Sequence, residues 1–315
     1  MVGAERARSP RVVFHTDLAE HPVSSIPLGL YEKALPQRLS WSDRLRIAAA
    51  HGFTFVEMSI DETDLRLARL QWSGAERESV RNETLKTGVP IQSICLSAHR
   101  RFALGSPDSS TRDHALQILI QGIDLAGDLG VRVIQLAGYD VYYGDGDDQS
   151  VKRFVDGIRK GLAYAARRQV MLAVEIMDTA FMGSIVRYLN LKRQLPSPWL
   201  TVYPDVGNLS AWGNDVAEEL TLAIDQIVGI HLKDTVAVSE YTPGTFRDVP
   251  FGTGCVDFVS VFRRLAALAY SGPFLIEMWS GDRSLEQAEQ EVAEARRWIV
   301  QQMIDGGYAR EETDG

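Results

Sequence analysis

Four ionisable side chains each interrupt an otherwise apolar run: Glu175 in LAVEIMD, Asp205 at the end of TVYPD, His231 in VGIHLKD and Glu277 in FLIEMW. A single carboxylate in such a run is often paired with an arginine or a backbone donor, and a lone histidine there is more often a satisfied core residue. Four such groups in four successive runs are hard to bury separately, because each unpaired burial costs several kcal/mol. One divalent cation compensates three carboxylates and an imidazole at a single point. With oxygen and nitrogen donors and no thiolate, the set suits Mn²⁺, Co²⁺, Zn²⁺ or Fe²⁺ better than Ca²⁺, and the choice among these stays open.

Something must bring the four together. Short β-branched or apolar runs alternate with amphipathic stretches of ten to twenty residues, which is the pattern of βαβ units. The runs predict eight strands at 26–31, 53–59, 91–97, 131–136, 171–176, 200–204, 227–232 and 273–278. Helical patterns lie between them at 42–50, 73–86, 112–129, 150–168, 183–194, 215–224, 256–269 and 285–303. Gly52, Gly88 and Gly130 fall just past helix ends, where a left-handed residue stops a helix. Most strands read as apolar on both faces, as a parallel sheet covered by helices requires. No Gly/Ser linker divides the chain, and no G-x-G-x-x-G follows the first strand, as a doubly wound sheet would usually show. The fold expected is α/β, a single (β/α)8 TIM barrel over residues 26–306. The four polar residues then sit near the C-terminal ends of strands five to eight, on the face where barrels build active sites.

Bulk properties agree. The 315 residues are 45% hydrophobic and 24% charged, and the net charge is −9. An acidic chain without a basic stripe is a poor partner for long nucleic acid. Cys95 and Cys255 each lie in an apolar segment, so two buried thiols and a cytoplasmic location are expected. Residues 1–25 contain Arg6, Arg8 and Arg11 but no long apolar core, and read as a disordered extension rather than a signal peptide or membrane span. Residues 307–315 read as a flexible tail.

At these motifs the chain resembles the bacterial L-ribulose-5-phosphate 3-epimerases (L-xylulose-5-phosphate 3-epimerases) of the xylose-isomerase-like barrel superfamily. The resemblance is carried by IPLGLYEKA (26–34), FVEMSIDET (55–63), CLSAHRRF (95–102), VIQLAGYDVYY (133–143) and EIMDT (175–179). It continues through YPDVGNLSAW (203–212), HLKDT (231–235), VPFGTG (249–254) and LIEMWS (275–280). The resemblance implies that Glu175, Asp205, His231 and Glu277 are the ligands of one divalent ion, and that the two glutamates also move the proton. It further implies a phosphate site near the first and third strand ends, by Lys33 and Ser97-Ala98-His99-Arg100-Arg101. The wider superfamily often carries Asp-x-x-His on strand six. Asp205-Val206-Gly207-Asn208 stands here instead, so no role for a second histidine carries over. Residues 236–245 form a longer segment after strand seven than the family usually has.

Epimerisation at C3 of a 2-ketose removes the proton beside the carbonyl and returns it to the opposite face. That requires polarisation of O2, an acid/base on each side and a stabilised cis-enediolate. Glu175 and Glu277, on strands five and eight, suit the two-base role. Lys33, His99, Arg100 and Arg101 are the expected phosphate contacts, with Ser97 beside them. Glu57 ends strand two and is expected to bind a sugar hydroxyl or to pair with Lys33. Asn208 and Lys233 flank ligands as outer support or hydroxyl contacts, and Arg247 precedes the Pro250/Gly252/Gly254 loop within reach of substrate. Trp212 and Trp279 are candidate walls, while His15, His21, His51 and His114 lack motifs and read as surface residues. The expected partner is a small phosphorylated ketose, with no nucleic acid and no membrane, and a homodimer is compatible with this reading. The rivals are a 3-epimerase of unphosphorylated ketoses, a hexulose-6-phosphate isomerase, a metal-dependent phosphodiesterase and a non-catalytic sugar-phosphate sensor.

Overall fold

The computed structural model describes residues 21–311. Eight parallel strands form the sheet: β1 Leu28–Tyr31, β2 Phe55–Ile60, β3 Ile91–Leu96, β4 Val133–Ala137, β5 Met171–Glu175, β6 Leu200–Tyr203, β7 Ile230–Leu232 and β8 Phe274–Ile276. Each strand pairs with its sequence neighbour, and β8 also pairs with β1. Parallel bridges Val202↔Ile227 and Asp205↔His231 join β6 to β7 and close the ring. The expected TIM barrel is what the chain forms.

Eight principal helices follow the strands: α1 Trp41–Ala50, α2 Gly74–Thr87, α3 Ser109–Leu129, α4 Asp148–Arg168, α5 Ile185–Gln194, α6 Val216–Leu222, α7 Phe258–Ala267 and α8 Leu285–Asp305. Their starts are set by side chains that accept a free backbone N–H of the first turn, among them Ser40, Ser73, Asp108, Asp147 and Ser284. Gly88 and Gly130 end α2 and α3 at φ of 72° and 79°, the left-handed cap that their position predicts.

The strands do not bury two apolar faces. Leu28, Leu30, Val56, Met58, Ile94, Ile134, Val174, Val202, Ile230 and Ile276 pack outward into the main core. The alternate positions turn into the barrel, where the period of two places a different chemistry. They form a small apolar cluster of Tyr31, Phe55, Cys95 and Leu275, and they include the buried polar residues Glu57, Ser59, Ser93, Gln135, Glu175 and His231. A Cβ on Gly29 would lie 2.2 Å from the Phe55 ring, so glycine there lets Phe55 cross the barrel interior. The interior therefore mixes a small apolar cluster with buried polar groups, and the expectation of two apolar faces holds in full only for the outer one.

Two further expectations are corrected, and the segment after β7 gains a definite form. Of the N-terminal extension, residues 1–20 lie outside the described residues, as do 312–315 of the tail. The described parts of both are structured: His21–Pro22 pairs in parallel with Ala309–Arg310, and Tyr308 is buried against Phe262 and Phe274. Cys95 is buried but Cys255 is exposed, because it lies in the loop before α7 rather than in a strand. The segment after β7 is a hairpin, Asp234–Val236 antiparallel to Thr245–Val249, with Tyr241 exposed near its tip. Among the described residues no helix is long and apolar enough to cross a membrane.

Candidate active site

Glu175 is the last residue of β5, and Asp205 lies just past β6. His231 is central in β7, and Glu277 follows β8 directly. Barrel closure brings one ligand atom of each within 4.8 Å of the others, and all four side chains are buried. His231 Nδ1 lies 3.0 Å from Glu175 Oε1 and 3.9 Å from both Asp205 Oδ2 and Glu277 Oε2. Lys233 Nζ stands 2.8 Å from Asp205 Oδ2 and 3.0 Å from Glu277 Oε2. Asp205 also caps the short helix Val206–Ala211, accepting from the Asn208 N–H at 2.8 Å through Oδ1. That leaves Oδ2 turned to the cluster.

The electrostatics show three carboxylates competing for too little positive charge. Burial, and then its carboxylate neighbours, raise Asp205 above its ordinary value; burial likewise raises Glu175, against the pull of His231. Burial opposes ionisation of Glu277 too, but Lys233 and His231 outweigh it and hold that carboxyl down. Burial would lower His231, yet Glu57 and Glu277 raise it well above the usual imidazole range. Asp205 Oδ2 is buried and makes no hydrogen bond despite its nearness to Lys233. This buried oxygen turned to the cluster, the ring nitrogen facing three carboxylates and the hard oxygen-rich donor set fit a divalent cation.

The mouth above this cluster is lined by Tyr31, Lys33, Ser97, Arg100, Asp178, Lys233, Arg247 and Trp279, among others. Five expected contacts, Lys33, Ser97, Arg100, Lys233 and Arg247, are thus brought to the site. Lys33 Nζ pairs with Asp61 Oδ2 at 2.6 Å, not with Glu57. Arg100 Nη2 donates to Tyr139 Oη at 3.1 Å, and Tyr139 donates to Asp178 Oδ1 at 2.6 Å. The guanidinium lies over the Tyr139 and Tyr142 rings at 5.4 and 5.1 Å, and its Nε is buried without a partner. Arg247, from the hairpin, lies 5.4 Å over the Trp279 ring.

Three expected contacts go elsewhere, and a fourth, Asn208, takes the supporting role. His99 is buried and its Nε2 lies 3.1 Å from the Ala115 carbonyl of α3, because the 3-10 turn Ala98–Arg100 points it down into the core. Arg101 points outward, 49% exposed, to Asp64 at 2.7 Å. Glu57 is fully buried inside the barrel, 3.0 Å from His231 Nε2, and pairs with that ring rather than with Lys33. Asn208 is buried and donates to the Ile176 carbonyl at 2.8 Å, tying the loop after β5 to the Asp205 turn. Trp212 donates to the Met177 carbonyl at 3.3 Å and so does not line the mouth.

Sequence reasoning missed several participants. Gln135 of β4 donates through Nε2 to Glu175 Oε2, fixing the second oxygen of that glutamate. Asp178 and Tyr139 hold Arg100. Both stand in motifs already quoted, and Gln135 is a polar residue in an apolar run, the same signal that marked Glu175. Asp234 accepts from the Gly252 and Gly254 N–H groups, each at 2.9 Å, and so pins the 249–256 loop beside the site. A cavity of about 400 Å³ opens between that loop and α8, sharing Lys233, Glu277 and Trp279 with the mouth.

Residues 45–302 match the family model of the xylose isomerase-like TIM barrel. The chain belongs to that family. It is 57% identical over 281 residues to SgbU of Escherichia coli, a provisionally named L-ribulose-5-phosphate 3-epimerase, covering 89% of this chain and 98% of that protein. It is 51% identical over 282 residues to the L-ribulose-5-phosphate 3-epimerase UlaE of Salmonella paratyphi C, covering 90% and 96%. At this identity and coverage the chain is a member of the L-ribulose-5-phosphate 3-epimerase family, and so of the isomerase class. Among solved structures, a D-allulose 3-epimerase from Methylomonas sp. in complex with D-allulose superposes with a TM-score of 0.71 at 18% identity, over 90% of this chain and 99% of that one. That likeness shows the shared barrel.

Proposed function

We propose that the chain interconverts L-xylulose 5-phosphate and L-ribulose 5-phosphate by deprotonation and reprotonation at C3, with one divalent ion held by Glu175, Asp205, His231 and Glu277. The observation that carries this is one buried four-donor cluster that includes two glutamates, brought together from β5 and from the end of β8. The family membership supplies the sugar. A divalent ion bound there supplies Lewis acidity toward the ketose oxygens and neutralises developing charge.

The chain's own residues do the remaining work. One of Glu175 and Glu277 takes the C3 proton, and the other returns a proton to the opposite face, each from within about 3 Å of C3. Gln135 and Lys233 keep those carboxylates aimed, and Lys233 adds positive charge beside Glu277. Lys33, Arg100 and Arg247 give the mouth a basic rim, which supports a phosphorylated substrate over a free ketose.

The test is proton NMR of L-xylulose 5-phosphate with the Mn²⁺- or Zn²⁺-loaded protein in D₂O. Deuterium at C3 with appearance of L-ribulose 5-phosphate is the expected result. Glu175→Gln and Glu277→Gln each lower turnover by at least about 10²- to 10⁴-fold, and one of them retains exchange of the C3 hydrogen without epimerising. Near-wild-type rates in both variants refute the two-base scheme.

A further inference from the structure

The other nitrogen of His231 is as tightly engaged as the one facing the carboxylates. Nε2 lies 3.0 Å from Glu57 Oε1, deeper in the barrel. Glu57 comes from β2, and its second oxygen accepts from Ser93 Oγ of β3 at 2.6 Å. Glu57 and His231 are fully buried and Ser93 nearly so. The Tyr203 ring of β6 meets the imidazole edge-on, with centroids 4.7 Å apart. Four strands thus converge below one ligand.

A neutral imidazole carries its proton on one nitrogen and a lone pair on the other. A carboxylate only accepts, so a hydrogen bond to Glu57 requires the proton on Nε2. Glu175 Oε1 is an equal acceptor for an Nδ1 proton at 3.0 Å in the metal-free site. Once a cation takes that proton's place, Glu57 keeps the remaining proton on Nε2 and the Nδ1 lone pair is free for the ion. The negative charge behind the ring also makes Nδ1 a better donor to a cation. Ser93 stops Glu57 from rotating, and Tyr203 limits tilting of the ring.

We infer that Glu57 is a positioning residue: through His231 it selects the tautomer, fixes the ring and sets the affinity of the four-donor site for its divalent ion. This rests on the metal reading above and assigns a part of the site that touches neither the ion nor the sugar. A purely structural ion pair would support folding and leave the intact site's metal affinity unchanged. A positioning role predicts that affinity changes while the sugar's own contacts do not.

The decisive measurement is calorimetric titration of Mn²⁺ into the metal-stripped full-length chain, for wild type and Glu57→Gln. The variant keeps shape but removes the charge. Its dissociation constant should rise about 10- to 100-fold, while KM for L-xylulose 5-phosphate at saturating Mn²⁺ stays within about twofold. A variant that melts lower but binds Mn²⁺ as wild type does would make Glu57 a packing residue and overturn the assignment. Should Glu57→Gln fail to fold, Ser93→Ala carries the test, because it removes one hydrogen bond and leaves the carboxylate. A severalfold weaker Mn²⁺ constant supports the role and an unchanged one overturns it. Absence of Mn²⁺ binding by the wild type would remove the metal reading itself, and this inference with it.

Discussion

Arg100 and Arg101 are chemically identical neighbours with opposite surroundings. Arg100 is drawn inward between two tyrosine rings and an Asp178-held hydroxyl, with Nε still free to donate. Arg101 spends its charge on Asp64 at the surface, where an exposed ion pair contributes at most about 1 kcal/mol. Arg100→Ala should therefore raise KM for the phosphorylated ketose by about 10- to 100-fold, the equivalent of losing a charge-assisted hydrogen bond of about 1.5–3 kcal/mol. Arg101→Ala should leave it within about twofold. Steady-state kinetics on phosphorylated and free ketose separate the cases, and equal losses on both substrates for Arg100→Ala would remove the phosphate role. The Ser-Ala-His-Arg-Arg run identifies a basic cluster but not which member faces in, because the 3-10 turn that decides direction has no strong signature in residue types.

At the scale of elements, the same turn explains His99. Its ring joins the loop after β3 to α3 through the Ala115 carbonyl, and burial lowers its pKa from 6.5 to about 4. The fold therefore prefers the neutral ring. As pH falls below 6.5 the unfolded chain takes up a proton, while the folded chain resists until about 4. This contribution is present in full above 6.5 and is lost as pH falls toward 4. The wild type should lose about 2 kcal/mol between pH 7 and pH 5 from this group. His99→Gln, measured by urea unfolding at both values, should show a correspondingly flatter dependence. An identical slope in the variant would mean that the ring is not held neutral. A histidine beside two arginines invites a reading as an anion contact, and only the path of the turn assigns it to the core.

At the scale of the whole molecule, the two ends of the described chain meet. Tyr308 is 1% exposed, donates to the Tyr270 carbonyl at 2.8 Å and packs edge-on against Phe274 of β8. Tyr308→Ala removes a large core side chain and should cost about 3–5 kcal/mol, or roughly 10 °C in Tm, by thermal unfolding. A loss below about 1 kcal/mol would return this segment to the status of a tail. On the opposite face, Glu32 is fully buried among Arg44, Arg66 and Arg69, with Arg69 Nη1 at 2.5 Å. Burial opposes its ionisation, but Arg69 and then Arg44 and Arg66 hold its pKa below the usual value. This charge cluster fastens the loop after β1, which carries Lys33, to the loop after β2 and to α1.

The eight-strand barrel and the four donors were legible in the residues, because both rest on local signals. Strand periodicity, helix caps and a polar residue in an apolar run can each be read within about ten positions. All eight strands lie where the pattern places them, within three residues at either end. The roles of the basic and outer polar residues depended on tertiary structure. Glu57, Gln135 and His231 belong to three different strands, and barrel closure alone sets Glu57 behind the histidine rather than beside Lys33. Residue type and spacing identify which groups are costly to bury. Which partner offsets that cost depends on strand register, turn direction and ring closure, and these are properties of the whole fold.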